Sequence, residues 1–317
     1  MSILVTGSAG FIGFHVSKAL LEKGEQVIGL DNINDYYSQD LKWSRNKILE
    51  KYDNFTFYHT DLCNLSKINK IFNDENISKI CHLAAQAGVR YSIENPFQYQ
   101  KSNLEGFTNI LEMARKFKVK NFVFASSSSV YGGNKKVPFS VEDDINRPVS
   151  FYAATKVANE AMAYSYHHLY DIPMVGLRFF TVYGPWGRPD MAYFKFTERI
   201  VNGESIDVYN HGDMKRDFTY VDDIVDGVLS ALNKKFKFEI FNLGNNQPVK
   251  LLEFINILES KLGKKAKKNM LPMQPGDMKE TFADISKSEM MLGFKPKTGI
   301  EYGLDNFIKW YRKYFKI

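Results

Sequence analysis

The sequence predicts an α/β protein, a doubly wound parallel sheet with helices on both faces and a smaller second lobe. Three observations carry that expectation. The first half alternates short β-rich runs with amphipathic segments, the pattern of strands joined by crossover helices. A glycine-rich stretch, Gly7-Ser8-Ala9-Gly10-Phe11-Ile12-Gly13, follows the first such run and opens the first helical segment. After about residue 178 the rhythm changes to longer polar loops punctuated by Pro185, Pro189, Pro248, Pro272, Pro275 and Pro296.

Taken in order, strands are expected over 3–6, where Ile3, Leu4 and Val5 start the chain, and then over 26–31, 55–60, 79–84, 121–127 and 173–179. Helices fill the gaps over 11–23, 41–51, 66–74, 97–117 and 150–170. Right-handed crossovers then put ligands at the carboxyl ends of the strands near the switch point. A later strand-like run, 239–244, is expected to return to the main sheet. Residues 1–177, with 217–244 returning, form a Rossmann-like domain in this reading, and 178–216 with 245–317 a smaller α/β substrate-binding lobe. There is no internal repeat and no low-complexity segment.

A composition of 44% hydrophobic and 25% charged residues in 317 excludes disorder, collagen and coiled coil. No stretch approaches the roughly 18 apolar residues of a membrane span, and no basic leader with a cleavage pattern precedes the first strand. Cys63 and Cys81 lie in apolar sequence and read as buried thiols, so a cytoplasmic location is expected. The 42 basic and 36 acidic residues leave +6, which favours anionic small molecules without requiring a polyanion. Lys264, Lys265, Lys267 and Lys268 read as a solvated loop, lacking the interleaved aromatics of a nucleic-acid patch. The six histidines are scattered, and the adjacent His167 and His168 diverge by about 100° on a helix, so no metal site is expected.

Gly7, Gly10 and Gly13 allow a tight turn, close approach to a pyrophosphate and close helix–strand packing, with the helix N-terminus supplying N–H groups. Asp31 ends the second strand eighteen residues beyond Gly13, where a carboxylate accepts both ribose hydroxyls of an adenosine; a helix cap or turn aspartate is the alternative. Asn32, Ile33 and Asn34 follow it with no arginine for a 2′-phosphate, which favours NAD over NADP. Asp61 and Leu62, just after the third strand, are placed to border the adenine ring, although a turn aspartate reads the same way.

Tyr152 and Lys156 are four apart in a helical segment and share one face. A phenol ionises near pH 10, and bringing that to about 7 needs roughly 4 kcal/mol of preferential stabilisation. A neighbouring ammonium and a bound nicotinamide cation supply it in a desolvated cleft. The pair comes 25 residues after Ser127, within the cluster Ser126 to Ser129 that ends a strand of the same sheet.

These residues, with Leu83-Ala84-Ala85, Val130-Tyr131-Gly132, Arg216-Asp217-Phe218 and Val221-Asp222-Asp223, resemble an extended short-chain dehydrogenase/reductase of the nucleotide-sugar epimerase and dehydratase group, over essentially the whole chain. The resemblance implies a tightly held NAD, a nucleoside diphosphate sugar and chemistry through a 4-keto sugar. It implies cofactor contacts from Phe11, Ile12, Asn32, Ala84, Gln86 and Phe179 besides the residues above. Ser127 becomes the hydroxyl donor, with Ser128 as the alternative, Tyr152 the base and Lys156 its activator. Dehydratases and decarboxylases of the group resemble the same frame but carry an acidic side chain where this chain has Ser128 and Ser129, which leaves epimerisation.

By the same resemblance, Arg216 holds the diphosphate, Tyr209 stacks on uracil and Asp277 meets the ribose; a surface arginine, a core tyrosine and a turn aspartate are their plainer readings. UDP-galactose epimerases resemble the run Leu177-Arg178-Phe179-Phe180 but continue with Asn-Pro. This chain continues Thr181-Val182-Tyr183-Gly184-Pro185-Trp186-Gly187-Arg188-Pro189-Asp190, which, with Gln86 to Arg90, resembles the UDP-glucuronate 4-epimerases. That maps sugar-carboxylate contacts onto Thr181 and Arg188, with Arg90 a second candidate cation; an exposed turn arginine is the alternative for Arg188. A guanidinium offers a carboxylate a bidentate fork. The expected activity is an isomerase's. The rivals are a 4-epimerase of UDP-glucose or UDP-N-acetylglucosamine and, in another class, a non-catalytic NAD-sensing protein. The helix over 150–170 is apolar on more than one face and, with that over 97–117, is expected to form a homodimer; an intrachain face is the alternative.

Overall fold

Strand β1 (Ser2–Thr6) is buried along its whole length, as a parallel strand covered by helices on both sides must be. Alternate side chains serve the two faces: Ile3 and Val5 join one apolar cluster, Leu4 the other. Around it the computed structural model describes residues 1–273 and 278–317. β1 turns through the glycine loop into α1 (Phe11–Glu22), followed by β2 (Gln26–Asp31), α2 (Gln39–Leu49), β3 (Phe55–His59), α3 (Leu65–Asp74) and β4 (Ile77–His82).

A short turn, α4 (Tyr91–Glu94), comes first. The helix expected over 97–117 then runs without a gap over 96–116, as α5 (Pro96–Tyr99), a π-helical stretch at Gln100–Glu105 and α6 (Gly106–Lys116). Pro96 stands in its first turn, where the missing N–H has no partner to lose. The π turn delivers Asn103, whose amide accepts from the Gln86 N–H at 2.8 Å and donates to the Gln86 carbonyl at 3.0 Å. π-bulges of this kind concentrate at functional sites. After α6 come β5 (Asn121–Ser127), α7 (Phe151–Tyr170) and β6 (Met174–Phe179).

A second lobe starts with β7 (Thr181–Tyr183), α8 (Ala192–Asn202), β8 (Ser205–Val208) and β9 (Lys215–Tyr220), after which α9 (Val221–Asn233) returns to pack beside α1 and against β5 and β6 of the main sheet. β10 (Phe238–Leu243) then pairs in parallel with β6. The chain closes with β11 (Pro248–Lys250), α10 (Leu251–Leu262), β12 (Lys267–Met270), β13 (Glu280–Thr281), α11 (Ser286–Leu292) and α12 (Ile300–Phe315).

The main sheet is seven-stranded and parallel, in the order β10-β6-β5-β4-β1-β2-β3. The direction of winding reverses between β1 and β4, and a cleft opens there at the carboxyl ends. Residues 217–220 do not return to this sheet as expected: they lie in β9, which pairs with β7, β11 and β13. Asp217 holds them there, accepting the N–H groups of Asn245, Asn246 and Ala283 at 2.6, 3.1 and 2.9 Å. Half of the expected lysine loop is strand, with Lys267 and Lys268 in β12 beside β8. Cys81 is buried, but Cys63 is only half-buried, on a turn where its thiol donates to the Lys101 carbonyl.

His82 closes β4 in the core, between the Phe107 and Phe122 rings, and Nδ1 shares a hydrogen bond with Thr6 Oγ1 at 2.9 Å. Burial, aided by the nearby Lys156 charge, pushes its pKa down to about 3. The unfolded chain binds a proton near pH 6.5 that the folded chain refuses, so stability falls as pH drops below about 6.5. Denaturant titrations at pH 7 and 4.5 are expected to differ by roughly 2–3 kcal/mol from this residue, at about 1.4 kcal/mol per unit. A His82→Asn variant loses that share of the pH dependence.

Candidate active site

The floor of the cleft is the glycine loop. Gly7 takes φ +72°, and a Cβ there would stand 2.8 Å from the Ala84 N atom of the neighbouring strand end. At Gly13 a Cβ would lie 2.0 Å from the Gly7 carbonyl oxygen, so α1 packs against the turn as only glycine permits. Asp31 ends β2 with one carboxylate oxygen accepting the Ala9 N–H at 3.1 Å and the other the Ile33 N–H at 2.8 Å. Burial raises its pKa, against the pull of those N–H groups and of Lys42 and Arg45. Asp61 accepts from the Asn32 amide at 2.8 Å and from the Cys63 N–H at 2.8 Å, so it is both a turn aspartate and part of the cleft wall.

Every residue expected to contact the cofactor lines this cleft: Gly7, Gly10, Phe11, Ile12, Gly13, Asp31, Asn32, Asp61, Leu62, Ala84, Gln86, Tyr152, Lys156 and Phe179. Of those expected to contact substrate, Ser127 and Arg188 also line it. Ser128 and Thr181 are half-buried beside it, Ser128 in the 3₁₀ turn after β5 and Thr181 at the start of β7. Arg90 is exposed, and its guanidinium lies 5.1 Å over the Tyr209 ring. Arg216, on β9, donates to the Lys215 carbonyl at 2.9 Å. Asp277 lies outside the described residues.

α7 carries Tyr152 and Lys156 in its first turns, capped by Ser150, whose hydroxyl accepts the Ala153 N–H at 3.1 Å. Lys156 donates to the Ala125 carbonyl of β5 at 2.8 Å. Burial lowers its pKa to about 8, and Glu160 opposes that. Burial raises the Tyr152 phenol, opposed by a hydrogen bond with Ser127 and by the Arg188 charge. Ser127 in turn accepts the Ser129 N–H at 3.1 Å, which fixes its hydroxyl at the end of β5.

Beneath this group lies a buried ion pair that the sequence reading passed over. Arg178 donates Nε and Nη2 to the two Glu160 oxygens at 2.9 and 2.8 Å, and Ser126 donates to Glu160 Oε1 at 2.5 Å. Other polar residues of the site carry no local signal of their role: Tyr36 and Tyr37, from the loop after β2, and Lys42, on α2, line the cleft. Arg45, fully buried, bonds the carbonyls of Ala9, Trp186 and Gly187. Asn103 bridges Gln86 and Thr155.

A family model described as the NAD dependent epimerase/dehydratase family matches residues 3–244. The chain belongs to this family. It is 57% identical over 312 residues to an uncharacterised protein of Methanocaldococcus jannaschii, covering 98% of this chain and 96% of the relative. It is 48% identical over 333 residues to UDP-glucuronate 4-epimerase 4 of Arabidopsis thaliana, covering 99% of this chain and 76% of the relative. The crystal structure of UDP-glucuronic acid 4-epimerase from Bacillus cereus, in complex with UDP-glucuronic acid and NAD, superposes with a TM-score of 0.91 at 36% identity, over 99% of this chain and 100% of that one.

The cradle fits the dinucleotide that gives the family its name. Three glycines leave room where any Cβ would strike backbone, and a buried carboxylate stands at the end of β2. Gly13→Ala is therefore expected to purify with little bound NAD and to lose about 1–3 kcal/mol of stability from the overlap. Absorbance of the released cofactor and a thermal melt measure both.

Proposed function

We propose that this protein is an isomerase, an NAD-dependent 4-epimerase that interconverts UDP-glucuronate and UDP-galacturonate through a 4-keto sugar. The observation that carries the reading is the meeting of Ser127, Tyr152 and Lys156 with a cation, Arg188, in the cleft that holds the glycine cradle. The glycine cradle and Asp31 would hold NAD, which would supply a reversible hydride acceptor at C4, reached by either face of a 4-keto sugar that turns about its anomeric phosphate linkage.

Tyr152 takes the 4-hydroxyl proton as the ketone forms and gives it back as the alcohol re-forms. Its phenol is pushed up by burial, so ionisation depends on the Ser127 hydrogen bond and on the Lys156 ammonium. Lys156 uses one N–H on Ala125, which leaves two donors for the reacting groups. Ser127 supplies a donor for the 4-oxygen. A single base suffices because the proton and hydride removed are those restored; no second acid–base pair for elimination is needed, in keeping with serine at 128 and 129.

The 4-keto uronate is a β-keto acid, which loses carbon dioxide when its carboxyl bond aligns with the carbonyl π system. Arg188 and Thr181 hold the carboxylate in the ring plane and so suppress that loss. Arg90 is the second candidate cation for that carboxylate, while Arg216 holds the diphosphate, Tyr209 stacks on uracil and Asp277 meets the ribose. Two copies pair as a homodimer through the helix over 96–116 and α7, where Phe97 of α5 and Tyr164 and Leu169 of α7 are exposed at 80, 56 and 62%. Two free thiols suit the reducing cytoplasm, and uronate sugar nucleotides of this kind serve polysaccharide synthesis.

The neutral-sugar reading, a 4-epimerase of UDP-glucose or UDP-N-acetylglucosamine, has one observation in its favour: Arg188 is already paired with Asp190. Incubation of the purified protein, with no NAD added, separately with UDP-glucuronate, UDP-galactose and UDP-N-acetylglucosamine decides between them. The expected result is UDP-galacturonate from UDP-glucuronate without gas; turnover of only a neutral sugar contradicts the proposal. Tyr152→Phe is expected to lower kcat by about 10²–10⁴. Arg188→Ala weakens UDP-glucuronate binding and releases carbon dioxide with UDP-pentose; tight binding without gas leaves Arg188 no role in the reaction.

A further inference from the structure

Arg188 does not stand alone in the cleft. Its Nε and Nη2 donate to the two oxygens of Asp190 at 3.0 and 2.5 Å, a bidentate pair made across a single intervening residue, Pro189, whose ring fixes its own φ. Asp190 Oδ2 also accepts from the Tyr36 hydroxyl at 3.2 Å, across 154 residues of sequence. Tyr36 reaches that point because residue 88 is glycine at φ +105°, where a Cβ would lie 2.6 Å from the Tyr36 hydroxyl oxygen. The loop is tied down from the other side by Arg45, which bonds the carbonyls of Trp186 and Gly187.

A guanidinium has five N–H donors in two usable edges. Asp190 takes the Nε edge, and the Nη1 edge is left to a second acceptor. We propose that Asp190 is the positioning residue for recognition of a carboxylate-bearing sugar: it holds the Arg188 fork by one edge, with Tyr36 fixing Asp190, so that the other edge meets the sugar carboxylate without rearrangement. The inference rests on the UDP-uronate reading above. Burial pushes the Asp190 carboxyl up, but Arg188 and Tyr36 together hold it below the ordinary carboxylate range, so the pair stays ionised through neutral pH.

An arginine already neutralised by an aspartate reads at first as a site for a neutral sugar. The geometry argues otherwise. Pre-orientation removes the cost of ordering a long side chain as the substrate binds, and a fork held in plane discriminates a planar carboxylate from a tetrahedral hydroxymethyl group. Without Asp190 the guanidinium keeps its charge and loses its direction.

The test is the ratio of Kd for UDP-glucose to Kd for UDP-glucuronate, measured by calorimetry on NAD-loaded wild type, Asp190→Ala, Asp190→Asn and Tyr36→Phe. Both ligands share the UDP moiety, so damage to the fold moves both constants and leaves the ratio alone. The wild-type ratio is expected to exceed about ten, the discrimination one charge-assisted pair supplies. Asp190→Ala is expected to bring it close to one, while UDP-glucose affinity stays within about threefold of wild type. Asp190→Asn, which keeps an acceptor oxygen, and Tyr36→Phe retain part of the preference. A wild-type ratio near one sinks the uronate reading itself. A wild-type ratio above ten that Asp190→Ala leaves unchanged, or that Asp190→Asn raises, overturns the role of Asp190 alone, the second by showing it to be a competitor for Arg188. Parallel loss of both ligands in Asp190→Ala assigns it to structure and equally overturns the proposal.

Discussion

The buried Arg178–Glu160 pair is the constraint on which the site depends. Both side chains are almost fully enclosed. Taking two charges out of water costs several kcal/mol per ion, which only near-ideal geometry and further hydrogen bonds offset. Here the geometry is a parallel fork, and the remaining valences are filled by Ser126, by the Tyr131 hydroxyl at 3.0 Å and by the Val141 carbonyl at 3.3 Å. Tyr131 passes the chain on to Asn242 of β10 at 2.6 Å. One network therefore joins α7, β5, β6 and β10 at the carboxyl end of the sheet. It sets Tyr152 and Lys156 against Ser127, and its carboxylate is the group that opposes the effect of burial on Lys156. A second network does the same for the cofactor side: Asn103 clamps Gln86 to α7 through Thr155 at 3.0 Å, and the Asn159 amide returns to the Asn103 carbonyl at 2.7 Å.

The Rossmann half was legible because its signals are local. β2 and β5 have the ends expected of them, and β10 sits one residue from its expected start, since a run buried on both faces and bounded by turns has few alternatives. The glycine loop was legible because three glycines at fixed spacing satisfy a steric demand that no other residue meets. What failed was non-local. The helix expected over 97–117 is there, but its π turn at Gln100–Glu105 serves the reach of Asn103 to Gln86, and no change in apolar pattern announces it. Strands as short as β7, β11 and β13 carry too few residues for a period, and their pairing is imposed by β9 and Asp217.

The site shows the same division. Ser127, Tyr152 and Lys156 come to one cleft because strand end and helix face fix their spacing. Arg188 was singled out from a run of residues, but its partners Asp190 and Tyr36 were not, because their meeting is a property of two loops brought together by the sheet. Burial drives Tyr152 away from ionisation and Lys156 towards the neutral amine. In the proposed reaction each group is poised for a neighbouring charge that the bound cofactor would supply, which would couple proton movement to hydride movement in one cleft.

In the proposed reaction the hydrogen removed from C4 is held in this cleft and restored to the same carbon. UDP-glucuronate carrying deuterium at C4, incubated with the enzyme in ordinary water and analysed by mass spectrometry and NMR, tests it directly. UDP-galacturonate that retains the deuterium fully at C4 is the expected product. Deuterium lost to solvent, or found only in a product shortened by carbon dioxide, contradicts it.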